Sequence, residues 1–181
     1  MGKAKGTSLI RAVKALRANK DAARKALPER LHNYLEERIL VSSWYPEEDA
    51  LEILRAIAKI TPDPGMDIFE FMGRVSARAD LEGVYAPLLR QGDPRTTLRR
   101  TAVTWEHYHD TGKEKLVESG ENRIVVDITG YDHPSREVCR TTKGWLQELI
   151  TMAGGKDVRV VHEQCVLDGA DACRFEATWA P

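Results

Sequence analysis

What this sequence lacks narrows its function before any motif is considered. No apolar run approaches the roughly 18 residues that a membrane span requires, and the N-terminus has no apolar signal-peptide core, so a cytoplasmic location is expected. Cysteine is scarce and odd in number, with three residues, which argues against a closed disulfide framework and fits reduced thiols that bind metal or are simply buried. No Cys-x-x-Cys knuckle is present. No aromatic interleaves the basic residues near the N-terminus and no recognition motif accompanies them, so nucleic acid is not an expected partner. Nor do a nucleophile, a base and an orienting group stand together as a motif. Whether the chain is an enzyme stays open on these grounds, with the balance toward no.

What is present reads as one α+β domain with a basic N-terminal segment. The 181 residues suffice to bury a real core. Residues 1–30 hold nine Lys/Arg against Asp21 and Glu29, a surplus of +7 that leaves −8 for the remainder of a chain with net charge −1. Residues 1–6 read as disordered. A basic amphipathic helix then follows, with Leu9, Val13 and Leu16 on its apolar side. Taken as an appendage over 1–27, it would dock on a protein partner or an anionic surface; packing on its own domain with a solvated basic face is the plainer expectation. Pro28 separates it from residues 28–181, the single α+β domain.

In that domain helical periodicity dominates to about residue 110. Expected apolar stripes are Leu31-Leu35-Ile39, then Leu51-Leu54-Ile57-Ala58, then Ile68-Phe69-Met72-Val75-Ala79, and after Gly92-Asp93-Pro94 a face with Leu98, Ala102, Trp105 and His109. The period then changes to two. Lys113–Ser119 and Arg123–Thr129 form a hairpin around Gly120-Glu121-Asn122. A helix from Pro134 carries Cys139, Leu146, Ile150 and Ala153 on one side and ends at Gly154-Gly155. Two strands, Val158–Cys165 and Cys173–Trp179, are joined at Asp168-Gly169. The helical N-terminal half is therefore expected to pack on an antiparallel sheet of about four strands.

The chemical content lies in the last third. Cys139, His162, Cys165 and Cys173 make a complete Cys₃His set for a closed, structural zinc site. Strict alternation with Val158 and Val160 inward also turns His162 inward but sends Cys165 out. A one-residue bulge at Glu163-Gln164 brings both to one side, together with an odd number of residues in the Asp168-Gly169 loop. The simpler alternative, small buried thiols and a hydrogen-bonded core histidine, requires regular pairing instead.

Residues 120–179 resemble the 4-vinyl reductase domain, whose signature is a strand ending near Glu-x-Cys, a turn containing Gly, and Cys-x-Phe; here these are Glu163-Gln164-Cys165, Gly169 and Cys173-Arg174-Phe175. In the sensor domains of phenol- and xylene-responsive activators the resemblance implies zinc held by three cysteines and a glutamate. Cys139, Cys165 and Cys173 fall at the cysteine positions, and His162 stands at the glutamate position, with Glu163 as the adjacent substitute. The same superfamily includes haem-nitric-oxide-binding domains and TRAPP small subunits, with a helical half packed on an antiparallel sheet. The Tyr-x-Ser-x-Arg haem-propionate signature is absent, so haem is not expected.

The resemblance implies a zinc-containing small-molecule-binding module, sensor or regulatory, without a fused output domain. Its ligand would be small and apolar or aromatic. Phe69, Met72, Trp105, His109 and Trp145 are the candidate pocket residues, each of which also reads as plain core. It further implies a homodimer, which sedimentation as a 20.4 kDa monomer would overturn. The alternative is a TRAPP-like scaffold docking through its basic N-terminal helix. A well-filled core would favour that alternative.

Overall fold

A computed structural model describes residues 2–180. Its N-terminal layer begins with strand β1 (Lys3–Lys5), which pairs antiparallel with β2 (Trp44–Pro46). Residues 2–6 are thus ordered by pairing, while Met1, the remainder of the stretch read as disordered, lies outside the described residues. Helix α1 (Gly6–Arg17) buries Leu9, Val13 and Leu16, the expected stripe, against α2 (Lys20–Ala26), a 3-10 segment over Glu29–Leu35 and α3 (Glu47–Ile60). The 3-10 segment takes the place of the α-helix expected through Leu31 and Leu35, and still buries both.

Residues 4–27 pack into one layer with the segment that follows. Leu9, Val13, Leu16 and Ala23 share one buried cluster with Leu31, Leu35, Ile53 and Ala56. The basic charges also have partners within the fold. Lys20 and Arg24 bond Glu36, Arg17 donates to the carbonyls of Tyr34 and Glu37, Arg30 bonds Glu48 and Asp49, and Lys5 lies 4.2 Å from the Trp44 ring centroid. Much of the +7 surplus is answered by the acids that follow it.

The second layer is built on α4 (Ile68–Glu82) and α7 (Arg136–Met152). Asp67 caps α4 by accepting from the Phe69 and Glu70 amides, and Ser135 caps α7 by accepting from Val138. Their close crossing depends on two glycines. A Cβ at Gly73 would stand 2.0 Å from the Thr141 carbonyl oxygen, and one at Gly144 2.0 Å from that of Glu70. The face of α4 turned to α7 is therefore Gly73, Ala77, Asp80 and Leu81. The more strongly apolar stripe containing Met72, Val75 and Ala79 looks elsewhere.

The helix expected after Gly92-Asp93-Pro94 is two short ones, α5 (Pro94–Thr101) and α6 (Thr104–Tyr108). At the break the Thr101 and Thr104 hydroxyls donate to carbonyls three or four residues back, and His109 leaves α6 in an extended conformation. Strands β3 (Lys113–Ser119), β4 (Arg123–Thr129), β5 (Lys156–Gln164) and β6 (Cys173–Ala180) form an antiparallel sheet in the order β3-β4-β6-β5. Its inner face, with Ile124, Phe175, Ala177 and Trp179, packs on Leu146, Leu149 and Ile150 of α7. Among the described residues there are thus two buried clusters, one in the N-terminal layer and one between α7 and the sheet.

Candidate functional site

Two polar constellations stand out, one sulfur-rich and one around a cavity. At the first, the ladder between β5 and β6 slips after His162: His162 faces Phe175, and Gln164 faces Arg174, so Glu163 is the inserted residue. The chain leaves the strand at Gln164, and Cys165 begins a turn through Val166–Asp168 that Gly169 closes at φ 87°. The connecting segment, 165–172, has an even number of residues, against the odd number expected, because β5 ends one residue before Cys165.

This geometry gathers four donors. The Sγ atoms of Cys139, Cys165 and Cys173 lie 4.0, 3.9 and 3.7 Å apart, and with a ring nitrogen of His162 all ligand atoms fall within 4.8 Å of one another. A tetrahedral zinc with bonds of about 2.3 Å sets sulfurs about 3.8 Å apart. Cys139 arrives from the first turn of α7, Cys173 from the start of β6, and all three thiols are buried. Burial, and then the neighbouring cysteines, push the Cys139 thiol well up; burial raises Cys173 too. Burial, followed by the Arg136 charge, pushes His162 down, which favours the neutral imidazole. His162 stacks on Phe175 at 4.5 Å, and its Nε2 is buried without a hydrogen-bond partner. Glu163, the substitute considered for His162, is outside the cluster and exposed.

The second constellation lines a cavity of about 460 Å³ between the two layers. Its apolar wall comes from stripes that the sequence presents as core: Leu51, Leu54 and Ile57 of α3, and Met72 and Val75 of α4. Of the candidate pocket residues, Met72, Trp105, His109 and Trp145 lie on this wall. Phe69 does not; its ring lies under the Arg140 guanidinium at 5.0 Å, and Phe71 faces the cavity in its place. The placement follows from the turn of the helix, since residues two apart do not share a face.

Polar groups that periodicity does not reveal complete the wall. Asp80, 1% exposed, is bonded by Arg11 and by the Trp145 indole at 3.2 Å. Glu47 at the start of α3 is also buried and shares a hydrogen bond with Nδ1 of His109, whose ring stacks on Trp105 at 4.3 Å and meets Tyr131 edge-on. The Tyr108 hydroxyl and the Thr141 Oγ1 are buried on the wall without partners, and burial raises the Tyr108 phenol. Glu114, on β3, points the same way as Leu116 and opens onto the cavity. Burial alone pushes its carboxyl up to about 8. One sequence signal could have found it: a glutamate in phase with an inward leucine on a strand.

The sequence matches no family model and no curated protein. Solved structures do resemble the fold. An H-NOX protein from S. oneidensis in the Fe(II)NO ligation state matches with a TM-score of 0.65 at 16% identity, over 98% of this chain and 99% of that one. Fe(II) unliganded H-NOX from K. algicida gives 0.69 at 11%, over 98% and 97%. An oxygen-binding H-NOX domain related to soluble guanylate cyclases gives 0.67 at 13%, over 98% and 95%. At such identities the likeness is one of architecture, and the chain has the α+β fold of H-NOX domains over nearly its whole length.

Proposed function

We propose that this chain is a small-molecule-binding module with a structural zinc, in which the metal fastens the sheet to α7 and the cavity between the layers receives the ligand. The observation that carries the reading is the cavity itself, an apolar space of about 460 Å³ with a few unpartnered polar atoms on its wall. Sites for small molecules are typically of this size and make-up, roughly 300–1,000 Å³ and mostly apolar. The alternative, a scaffold docking through residues 1–27, has less support, because the core is not filled and the basic side chains are largely engaged within the fold.

For the metal, Cys139, His162, Cys165 and Cys173 supply a set with no open position, so the role is structural. Bound zinc would hold the cysteines as thiolates and offset their crowding. The 4-vinyl reductase resemblance points to the same residues. Metal analysis should find about one zinc per chain. Protein prepared without chelator and free of metal would overturn the zinc reading.

Haem, which the H-NOX family holds, fits this wall poorly. A porphyrin carries two propionates that need cationic partners. Among the described residues Arg11 is the one Lys or Arg on the wall; it is taken by Asp80, and Glu47 and Glu114 add further negative charge. His109 could offer a nitrogen, but its ring is packed between Trp105 and Tyr131. The ligand is therefore an organic molecule other than haem. Denaturing release from purified protein followed by mass spectrometry is expected to yield it. Protein that releases nothing, and whose tryptophan fluorescence responds to no small aromatic or aliphatic compound, would overturn the cavity reading.

A further inference from the structure

Resting on the cavity reading, and naming the ligand's chemistry, we propose that the cavity selects an organic cation, a small aromatic or aliphatic amine, with the Glu114 carboxylate as its counter-ion. Glu114 forms no hydrogen bond or ion pair among the described residues, and burial is the whole cause of its raised pKa, so no positive side chain is set against it. An isolated carboxylate in an apolar site is unfavourable, and the protein offers it no partner. A group placed in this way either stays protonated or awaits a cation from outside.

The charges around it favour the cation. Glu47, Asp80 and Glu114 face a single guanidinium, Arg11, so the wall sums to −2 with the histidines neutral and the carboxyls ionised. An anionic ligand meets repulsion there. A purely apolar ligand would strip water from Glu114 and give nothing in return. An ammonium group cuts that charge to −1 and brings three N–H donors, and Glu114 shares the wall with the Tyr108 hydroxyl and Thr141 Oγ1, whose oxygens have no partner. The remaining wall suits the organic part. Trp105, Trp145, Phe71 and Tyr131 supply aromatic surface, and aromatic faces attract cations as well as apolar groups.

The other titratable groups on the wall are already engaged or differently placed. Arg11 and Asp80 are paired, as are Glu47 and His109. Tyr108 and Tyr131 are phenols that burial pushes up, and His133 lies in the loop before α7. Glu114 is thus the group whose proton an arriving ammonium displaces near neutral pH.

The test compares matched probes by calorimetry and tryptophan fluorescence: benzylamine, 2-phenylethylamine and hexylamine against the corresponding alcohols and carboxylates. Amines should bind at least about tenfold more tightly than the alcohols, as expected for a charge-assisted hydrogen bond in a desolvated site. Binding near pH 7 should release a proton, seen as a dependence of the heat on buffer ionisation. In Glu114→Gln the preference should fall to within about twofold and the proton release should vanish. Alcohols binding as well as amines, or Glu114→Gln keeping the preference, would sink the amine assignment and leave the cavity reading standing. No binding by any probe, together with no released molecule, would overturn both.

Discussion

The sulfur cluster and the cavity are both polar insertions into buried surroundings, and they answer burial in opposite ways. At the cluster, four donors converge within 4.8 Å, and the three thiols are buried. At the cavity, the polar groups are dispersed over an apolar wall drawn from both layers, two carboxylates are paired, and one is left alone. Convergent thiol and imidazole donors suit a single small ion in a structural role. Dispersed groups around apolar space call for a larger, mixed molecule. The difference also separates tasks. The cluster draws its donors from α7, from the end of β5 and from β6, whereas the cavity lies between the two buried clusters and is walled by both layers.

The strongest way to break this contrast is to remove a cysteine. Cys173→Ser should abolish zinc uptake and lower stability by several kcal/mol, because structural zinc contributes roughly 10–16 kcal/mol of binding energy coupled to folding. Were the thiols only core, an unpaired buried hydroxyl would cost about 1–3 kcal/mol and the metal content would not change. Zinc analysis alongside urea denaturation separates the two outcomes.

Next in size is the effect of pH through Glu114. Its folded pKa of about 8 lies above its ordinary value, so the stability linked to it is fully present below about 4.5 and is lost as pH rises to about 8. The loss should be on the order of 3 kcal/mol, reduced from the full linkage value because the side chain keeps some accessible surface. Glu114→Gln should therefore be more stable than wild type at pH 8.5 and should close that gap toward pH 4.5. Denaturation curves that run parallel for the two proteins across this range would show that Glu114 is not the unpaired, desolvated carboxyl described.

A third test concerns the frame that both sites share. Gly144→Ala places a methyl 2.0 Å from the Glu70 carbonyl oxygen, so α4 and α7 must separate. Overpacking of this kind costs about 1–3 kcal/mol. Zinc should stay bound, because Cys139 lies a full turn away toward the start of α7, while cavity affinity should weaken, because Met72 and Trp145 belong to the two displaced helices. Loss of zinc with ligand binding intact would invert the proposed independence of the two sites.

The two sites were also unequally visible in the sequence. His162, Cys165 and Cys173 lie within one hairpin, so period-two counting showed that regular strands send Cys165 away from His162, and the requirement that both reach one metal put a slip at Glu163-Gln164, where the ladder has it. The antiparallel hairpins and α7 were legible for the same reason, since their patterns are local. The cavity was not. Its polar groups come from five helices, a strand and a loop, and Glu47 and Asp80 look like ordinary helix-surface acids until the layers meet. Apolar stripes on α3 and α4 were read as core because periodicity reports which side is apolar, not what lies opposite. Glycine at 73 and 144 hid the helix crossing, since a missing side chain leaves no hydrophobic signal. Strand β1 was invisible for a related reason: three residues with a lysine at each end show no alternation to count.

The smallest effect sharpens where the cavity ends. Phe69 and Phe71 are two positions apart on α4 and so point to different sides of the helix, Phe69 under Arg140 and Phe71 toward the cavity. Phe69→Ala should lower stability by about 1 kcal/mol through the lost cation–π contact and some packing, with amine affinity unchanged to within about twofold. Phe71→Ala removes wall surface and should weaken amine binding clearly. The pair acts as its own control, because the two substitutions delete the same ring from the same helix. If Phe69→Ala weakens binding as much as Phe71→Ala, the ligand reaches around α4 to its outer face, and the occupied space is not the one between the two layers.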